Sequence, residues 1–305
     1  MSVPTMRRAL RLGTRGSALA LTQSGLVADA IDGPVEVVRI STAGDRSRAP
    51  VTSFGGTGVF VSALREALLA GEIDLAVHSY KDLPTAPAEG LRLAAVPDRA
   101  DPRDALVARD GLTLAELPAG ATVGTGAPRR VAQLRAVRPD LELVPIRGNV
   151  DTRLGKVRGG ELDAVVVAAA GLDRLGLGDA VTELLDPTVM LPAPAQGALA
   201  VECRADDTEL AQRLAALDHP ASRAAAAAER ALLATLEAGC SAPLGALAEY
   251  KDDTLVLRGV VAAFDGSSAV RREVTGSITD AERLGRGLAT EFLAAGVSDL
   301  LGSSR

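Results

Sequence analysis

Arginine side chains recur at one kind of position in this sequence, directly after a predicted strand and at the start of a predicted helix. The positions are Arg15, Arg129, Arg130 and Arg147, with Arg153 farther along the helix after Arg147. The carboxyl ends of parallel strands meet at one edge of an open α/β sheet, where helix N-termini add free N–H groups. Because each guanidinium group can bind one oxyanion through two hydrogen bonds, the set predicts a cleft for a ligand with several carboxylates or phosphates. For any single arginine, a solvated surface charge is an equally good interpretation.

A carboxylate follows another predicted strand in the segment IDLAVHSYKDLPT, residues 73–85. At the end of a strand and beside arginines, Asp82 can stay ionised and stabilise a developing cation or move a proton. Taken alone, an aspartate there is more typical of a turn or a helix cap. His78 in the same segment is more typical of a hydrogen-bonded core residue.

The two cysteines have different surroundings. Cys240 lies in EAGCSAPLG, between Gly239 and Gly245, where a thiol has the freedom to be modified or to attack. Cys203 lies within an apolar strand pattern and is expected to pack as a small apolar group. With His78 and His219 as the two histidines, a Cys/His zinc cluster is not expected.

The chain alternates short apolar runs with helical patterns from Leu10 to Leu217, which predicts α/β lobes with largely parallel sheets and helices on both faces. The predicted strands are Ala9 to Leu12, Val35 to Ile40, Ile73 to Val77, Leu91 to Val96, Ala105 to Ala108, Thr122 to Val123, Glu142 to Ile146, Ala164 to Ala168 and Ala198 to Glu202. The polar, glycine-rich segment 42–57 is a candidate mobile lid.

Two Pro-rich breaks, PDRADPR at 97–103 and LPAPAQG at 191–197, divide the alternation. They predict a first lobe of residues 1–98 and 195–217 and an inserted second lobe of residues 99–194, with the two crossovers acting as a hinge. A smaller α+β domain, residues 218–305, follows. It is expected to begin with a helix from Pro220 to Ala238 capped by Asp218, and to continue with three antiparallel strands and a final helix. These later elements are Leu244 to Glu249, Thr254 to Ala263, Ala269 to Thr275 and Ala281 to Ala294.

The composition excludes several classes of protein. The 305 residues have a net charge of −6, and with no Trp, two Tyr and four Phe they offer few rings on which bases could stack, so no nucleic-acid partner is expected. The longest apolar stretch, residues 164–172, falls short of the roughly 18 residues that a membrane span needs. The first residues lack the apolar region of a signal peptide, which favours a cytoplasmic protein without a membrane partner.

Nine motifs in order resemble the porphobilinogen deaminase family, also called hydroxymethylbilane synthase, over roughly Arg11 to Leu247. They are LGTRGSALALTQ, GVFVSALREALL, DLAVHSYKDLPT, DPRDALVARDG, RRVAQL, RGNVDTRL, AAAGLDRLGL, LPAPAQGALAVECR and EAGCSAPLG. The resemblance implies a monomeric three-domain transferase whose first two domains resemble type II periplasmic binding proteins. Such an enzyme joins four porphobilinogen molecules head to tail with loss of ammonia and releases hydroxymethylbilane, in tetrapyrrole biosynthesis. It builds the product on a dipyrromethane cofactor, held by a thioether to the cysteine that matches Cys240.

The resemblance also implies roles for individual residues. Asp82 matches the catalytic carboxylate, the cofactor-binding set also includes Ser17, Lys81, Arg129 and Arg130, and the substrate-binding set is Arg15, Arg147, Arg153, Arg174 and Gln196. Pyrroles that carry acetate and propionate explain the many guanidinium groups, and Asp82 can hold a pyrrole N–H and balance the azafulvenium cation left by ammonia.

This chain departs from the family pattern at two places. Many members have Lys where it has Thr57, and Ser-Ser-Leu where it has Gly126, Ala127 and Pro128. The first departure puts a lid lysine's contact with substrate in doubt, and the second removes hydroxyl donors to cofactor carboxylates.

Two other functions compete with the deaminase. A two-lobed solute-binding or sensor protein would need neither Asp82 nor a cysteine-bearing third domain, and an exported one would carry a signal peptide. A DNA-binding regulator would need a helix-turn-helix segment, which the sequence does not show.

Overall fold

The computed structural model describes residues 8–41, 59–239 and 242–302. The chain divides into two compact units, the first formed by Met1–Asp98 with Leu199–Arg223 and the second by Arg99–Ala198 with Ala224–Arg305. Of the two crossover segments that the sequence predicts as a hinge, residues 97–103 pass from the first unit to the second after Asp98, and residues 191–197 lie within the second unit. Among the described residues, no helix combines the length and the apolar character that a membrane span requires.

The first unit is built on a five-stranded sheet with the order β2-β1-β3-β10-β4. Its strands are β1 (Leu10–Thr14), β2 (Val35–Arg39), β3 (Leu75–Ser79), β4 (Leu91–Ala95) and β10 (Leu199–Arg204), and its helices are α1 (Ala18–Ala30), α2 (Val59–Leu69) and α6 (Thr208–Leu214). β1 runs parallel to β2 and β3, whereas β10 runs antiparallel to β3 and β4.

Strand β3 is the centre of this sheet and is buried on both faces. Leu75 and Val77 pack in the same apolar cluster as Val27 of α1, while Ala76 packs on the other face with Leu64 of α2. Burial on both faces explains why the strand reads as a continuous apolar run in the sequence rather than as an alternating pattern. Helices α1 and α2 therefore cover opposite faces of the strand that leads to Asp82.

The second unit contains another five-stranded sheet, with the order β7-β6-β8-β5-β9. Its strands are β5 (Asp104–Ala108), β6 (Thr122–Thr125), β7 (Glu142–Pro145), β8 (Ala164–Ala168) and β9 (Glu183–Leu184), and its helices are α3 (Pro128–Val137), α4 (Val150–Arg158) and α5 (Ala169–Arg174). β6 runs parallel to β7 and β8, and β5 runs antiparallel to β8 and β9.

The C-terminal part of the second unit is an antiparallel sheet covered by helices. Strands β11 (Leu244–Lys251), β12 (Thr254–Ala262) and β13 (Ala269–Gly276) pair in sequence order, with α7 (Pro220–Thr235), α8 (Ala281–Ala294) and the short α9 (Ser298–Gly302) alongside. Their shared core contains Ala228, Leu232, Leu257 and Phe292. Helix α7 starts in the first unit and ends in the second.

The predicted α/β class and the smaller α+β C-terminal part are confirmed, but the sheets are mixed rather than largely parallel. In each large sheet the antiparallel strand, β10 or β5, is the first one that the chain enters after a crossover, so no βα connection of its own sheet sets its direction. Asp218 does not act as the predicted cap, because its carboxylate accepts hydrogen bonds from Val96 N–H and from the Arg223 side chain. The two-residue strand β9 and helix α9 were not predicted from the sequence.

Candidate active site

The first unit places four of the predicted site residues at one sheet edge. Because β1 and β3 are adjacent and parallel, their carboxyl ends lie at the same edge, and these ends lead to Arg15 and Ser17 and to Lys81 and Asp82. Ser17 is the N-cap of α1, and its hydroxyl accepts a hydrogen bond from Ala20 N–H at 3.3 Å. Arg15, Ser17 and Lys81 are half-buried.

Asp82 lies in a 3₁₀ turn, Tyr80–Asp82, that follows β3 directly. Its neighbours Tyr80 and Leu83 are buried, and Leu83 N–H donates to Tyr80 C=O at 3.2 Å, so the turn is held at both ends while Asp82 is exposed. An exposed carboxylate on an anchored turn is accessible to a ligand without any change in the core.

In the second unit, Arg129 and Arg130 at the start of α3 are buried and share one carboxylate. Asp104, which is fully buried at the start of β5, accepts from Arg129 Nη1 at 2.7 Å and from Arg130 Nε and Nη2 at 3.0 and 2.7 Å. Burial acts to raise the pKa of Asp104, but the charges and hydrogen bonds of the two arginines hold it well below its ordinary value. Asp104 was not among the site residues predicted from the sequence, although it stands in the motif DPRDALVARDG.

Arg153 on α4 lies near enough to Arg130 for the two charges to interact. Burial first, and then the positive charge of Arg130, lower the pKa of Arg153, while its Nε donates to Gly148 C=O at 2.9 Å. Arg147 lies in the connection between β7 and α4 and is exposed. A ligand carboxylate beside Arg130 and Arg153 would offset the charge repulsion that lowers the pKa of Arg153.

Gln196 lies in the second crossover segment, residues 191–197, and Arg174 contacts this segment. Arg174 Nη2 donates to Gly197 C=O at 2.6 Å, and burial lowers the pKa of Arg174. Gln196 is fully buried, and its Nε2 donates to Pro102 C=O at 2.8 Å and to Asp104 Oδ1 at 2.9 Å. Its amide nitrogen therefore supports the carboxylate that holds Arg129 and Arg130.

The departure from Ser-Ser-Leu has a structural counterpart at the start of α3. Ala127 is the N-cap and Pro128 stands in the first turn, so no side-chain hydroxyl caps this helix. A Cβ atom at Gly126 would lie 2.7 Å from Ile146 C=O, so any larger residue there needs a backbone shift. Between β6 and the first turn of α3, the polar groups that can reach a ligand are backbone N–H groups and the arginines.

The remaining predictions fall outside the described residues. Cys240, Thr57 and the predicted lid, residues 42–57, all belong to the parts of the chain that the structure does not describe.

Cys203 is fully buried, and burial raises the pKa of its thiol. Within residues 8–41, 59–239 and 242–302, no group of three or more His, Cys, Asp or Glu side chains is arranged to hold a metal ion.

Comparison with known proteins finds relatives over nearly the whole chain. The family model "Porphobilinogen deaminase, dipyromethane cofactor binding domain" matches residues 10–212, and "Porphobilinogen deaminase, C-terminal domain" matches residues 224–294. A porphobilinogen deaminase from Nocardia farcinica is 60% identical, with 96% of this chain and 88% of that protein covered. One from Thermobifida fusca is 59% identical, with 95% of each covered.

Among solved structures, a periplasmic binding protein of Salmonella typhimurium with high arginine specificity is 14% identical, with 69% of this chain and 92% of that chain covered and a TM-score of 0.36. Likeness at that level carries no conclusion about ligands. The two family models and the sequence identity extend over both lobes and the C-terminal part, and they show the family: the chain belongs to the porphobilinogen deaminase family.

Proposed function

We propose that this chain is a hydroxymethylbilane synthase that joins four porphobilinogen molecules head to tail, with loss of ammonia, on a dipyrromethane cofactor attached to Cys240. The observation that carries the proposal is that both family models, the cofactor binding domain and the C-terminal domain, match this one chain. The residues described above support it, because they supply the two things this reaction needs, positive charge for carboxylates and one accessible carboxylate.

The arginine set in the second unit suits a polycarboxylate. Arg129 and Arg130 bring two positive charges to a single buried carboxylate, and Arg153 adds a third charge that its surroundings disfavour. A group with several acetate and propionate side chains would offset this excess and accept bidentate hydrogen bonds. When bound, the dipyrromethane supplies a pyrrole ring as the nucleophile for the first unit. The residues proposed to hold it are Ser17, Lys81, Arg129, Arg130 and Cys240, while Arg15, Arg147, Arg153, Arg174 and Gln196 are proposed for the substrate units.

Asp82 is proposed as the catalytic carboxylate. It is exposed at the end of β3, where it can accept a hydrogen bond from a pyrrole N–H of the substrate. Loss of ammonia from porphobilinogen leaves a cation, and a fixed negative charge beside it lowers the barrier to that loss. Arg15 at the same sheet edge can bind a carboxylate of the substrate while Asp82 acts on its ring, and Ser17 beside it is proposed for the cofactor.

Intact-protein mass spectrometry combined with a turnover assay tests the proposal. The parent protein should carry an adduct of two linked pyrrole units and convert porphobilinogen to hydroxymethylbilane, and Cys240→Ser should lose both properties. Cys203→Ala is the matched control, because Cys203 is fully buried and its thiol has a raised pKa, so its loss should change neither. An unmodified protein with full activity, or an adduct that survives in Cys240→Ser, would overturn the proposal.

We further propose that the protein works as a monomer in the cytoplasm. A cysteine that must form a thioether has to remain a reduced thiol, which suits a reducing compartment. Sedimentation at working concentration should give a single species of the mass of one chain, 31.1 kDa. A dimer at that concentration would contradict the monomer.

A further inference from the structure

The last two residues of β3 differ from the rest of that strand in being polar. Leu75, Ala76 and Val77 are held by apolar packing, whereas His78 is buried and Ser79 is half-buried. Because successive residues of a strand point to opposite faces, His78 faces the α2 side and Ser79 the α1 side. Each one contacts a polar partner on another element.

On the α2 face, His78 contacts an ion pair. Its Nε2 lies 3.2 Å from Glu202 Oε2 of β10, and Glu202 accepts from Arg65 of α2 through Nε at 3.0 Å and Nη2 at 2.8 Å. Burial acts to raise the pKa of Glu202, but the contact with His78 and the hydrogen bonds and positive charge of Arg65 lower it to about 2. Glu202 is therefore ionised at neutral pH. From β10 it contacts both Arg65 of α2 and His78, which lies four positions before Asp82.

On the α1 face, Ser79 contacts a buried amide. Gln23 Nε2 lies 3.1 Å from the Ser79 hydroxyl, and that hydroxyl lies 3.2 Å from Gln23 Oε1. Gln23 is 5% exposed on the helix that Ser17 caps. Two independent polar contacts, one on each face, thus fix the two residues that immediately precede the turn Tyr80–Asp82.

We propose that Glu202 and Gln23 are positioning residues for Asp82, holding the end of β3 from opposite faces and so setting the direction in which the turn presents the carboxylate. Apolar packing is non-directional, whereas a contact between polar groups restricts their distance, and hydrogen bonds such as those of Gln23 with Ser79 and of Arg65 with Glu202 also restrict the angle. Because Asp82 lies three positions after Ser79, a displacement of the end of β3 also displaces the Asp82 carboxylate. A displacement of about 1 Å can cost on the order of 100-fold in rate. The inference rests on the proposed role of Asp82.

The test compares two ends of one strand. Glu202→Gln and Gln23→Met keep side-chain size: the first removes the carboxylate charge beside His78 and Arg65, and the second removes the amide beside Ser79. Asp74→Asn alters a buried carboxylate beyond the other end of β3, where Arg8 and Arg11 bind it. Turnover is measured well below every melting temperature and expressed per molecule that carries the adduct, with Asp82→Asn in parallel. We expect Glu202→Gln and Gln23→Met to lower kcat by roughly 10-fold or more with KM changed by less than about twofold. Asp74→Asn should melt earlier and keep the parental kcat.

The outcomes separate this inference from the proposed function. If Asp82→Asn is slow while both positioning variants keep the parental kcat, the positioning role is wrong and the function stands. An equal loss of kcat in Asp74→Asn and Glu202→Gln also overturns it, because any weakening of the sheet would then suffice. If Asp82→Asn runs at the parental rate, the role of Asp82 itself fails. Should Glu202→Gln not fold, Gln23→Met decides the question, since it removes no charge.

Discussion

Arg130 donates two hydrogen bonds to one oxygen of Asp104, through Nε at 3.0 Å and Nη2 at 2.7 Å, with both side chains buried. Arg129 binds the other carboxylate oxygen. The geometry fixes the guanidinium group of Arg130 in one orientation and leaves the three residues with one net positive charge. The arginine pair that we propose for cofactor binding therefore also supports the fold.

Asp104→Asn should destabilise the protein strongly. The substitution keeps the shape but leaves two buried guanidinium groups without their counter-charge, and breaking a buried ion pair costs about 3 to 5 kcal/mol. Urea unfolding at pH 7 measures the loss in the free energy of unfolding. As a control, Asp101→Asn removes the carboxylate of a half-buried pair with Arg103 and should cost less than about 1 kcal/mol. Equal losses in the two variants would contradict the structural importance of Asp104.

Replacing Arg130 in two backgrounds separates binding from stability. Arg130→Met should lower both the melting temperature and the fraction of protein that carries the dipyrromethane adduct. In the triple variant that adds Arg129→Met and Asp104→Leu, part of the stability should return, because apolar side chains of similar size then replace all three buried ions and leave no charge unpaired. Adduct loading should stay low, since no guanidinium group is regained. Loading that recovers together with the melting temperature would mean that Arg130 acts through the fold alone.

Arg153→Met should reduce ligand binding without reducing stability. Burial and the charge of Arg130 both lower the pKa of Arg153, so removing its charge relieves a repulsion. We expect a melting temperature equal to or above that of the parent and adduct loading or porphobilinogen affinity reduced by about 10-fold, as for the loss of one bidentate pair. Arg158→Met, on the exposed last turn of the same helix, should change neither. A fall in stability without loss of binding would exclude the binding role.

The sequence predicted where the strands lie better than it predicted strand direction and side-chain contacts. Residues 164–168 form a strand exactly where the apolar run predicts one, because buried strands leave a strong local pattern. The contacts of Asp104 and Glu202 could not be predicted in this way, since their arginine partners lie 25 and 137 positions away along the chain. The direction of β10 is likewise set by the crossover and not by its own residues. Asp218 was mistaken for a cap because local patterns carry no information about Val96, 122 positions away.

Glu202 should make the protein sensitive to acid over a defined range. Its pKa in the folded protein is lowered from an ordinary 4.5 to about 2, so its stabilising contribution is complete above pH 4.5 and is lost as the pH falls toward 2. The full contribution is about 3 kcal/mol. Unfolding free energies measured between pH 5 and about 2.5 should therefore fall more steeply for the parent than for Glu202→Gln. Leu64→Ala, a core variant expected to lose about 2 to 5 kcal/mol, should keep the parental slope. Parallel curves for parent and Glu202→Gln would contradict the ion pair.

Asp82→Asn should abolish most of the turnover and leave the fold intact. The side chain is exposed, so its replacement by a neutral amide of the same shape removes no buried contact, and the melting temperature should stay within about 2 °C of the parent. Without the negative charge beside the developing cation, kcat should fall by about 100-fold or more. The control is Asp110→Asn, an exposed aspartate in another 3₁₀ turn that directly follows a strand. It should keep the parental kcat, because what distinguishes Asp82 is its place at the edge shared with Arg15 and Ser17. If both variants lose the same activity, or if Asp82→Asn loses stability in proportion to its activity, the carboxylate has no catalytic role.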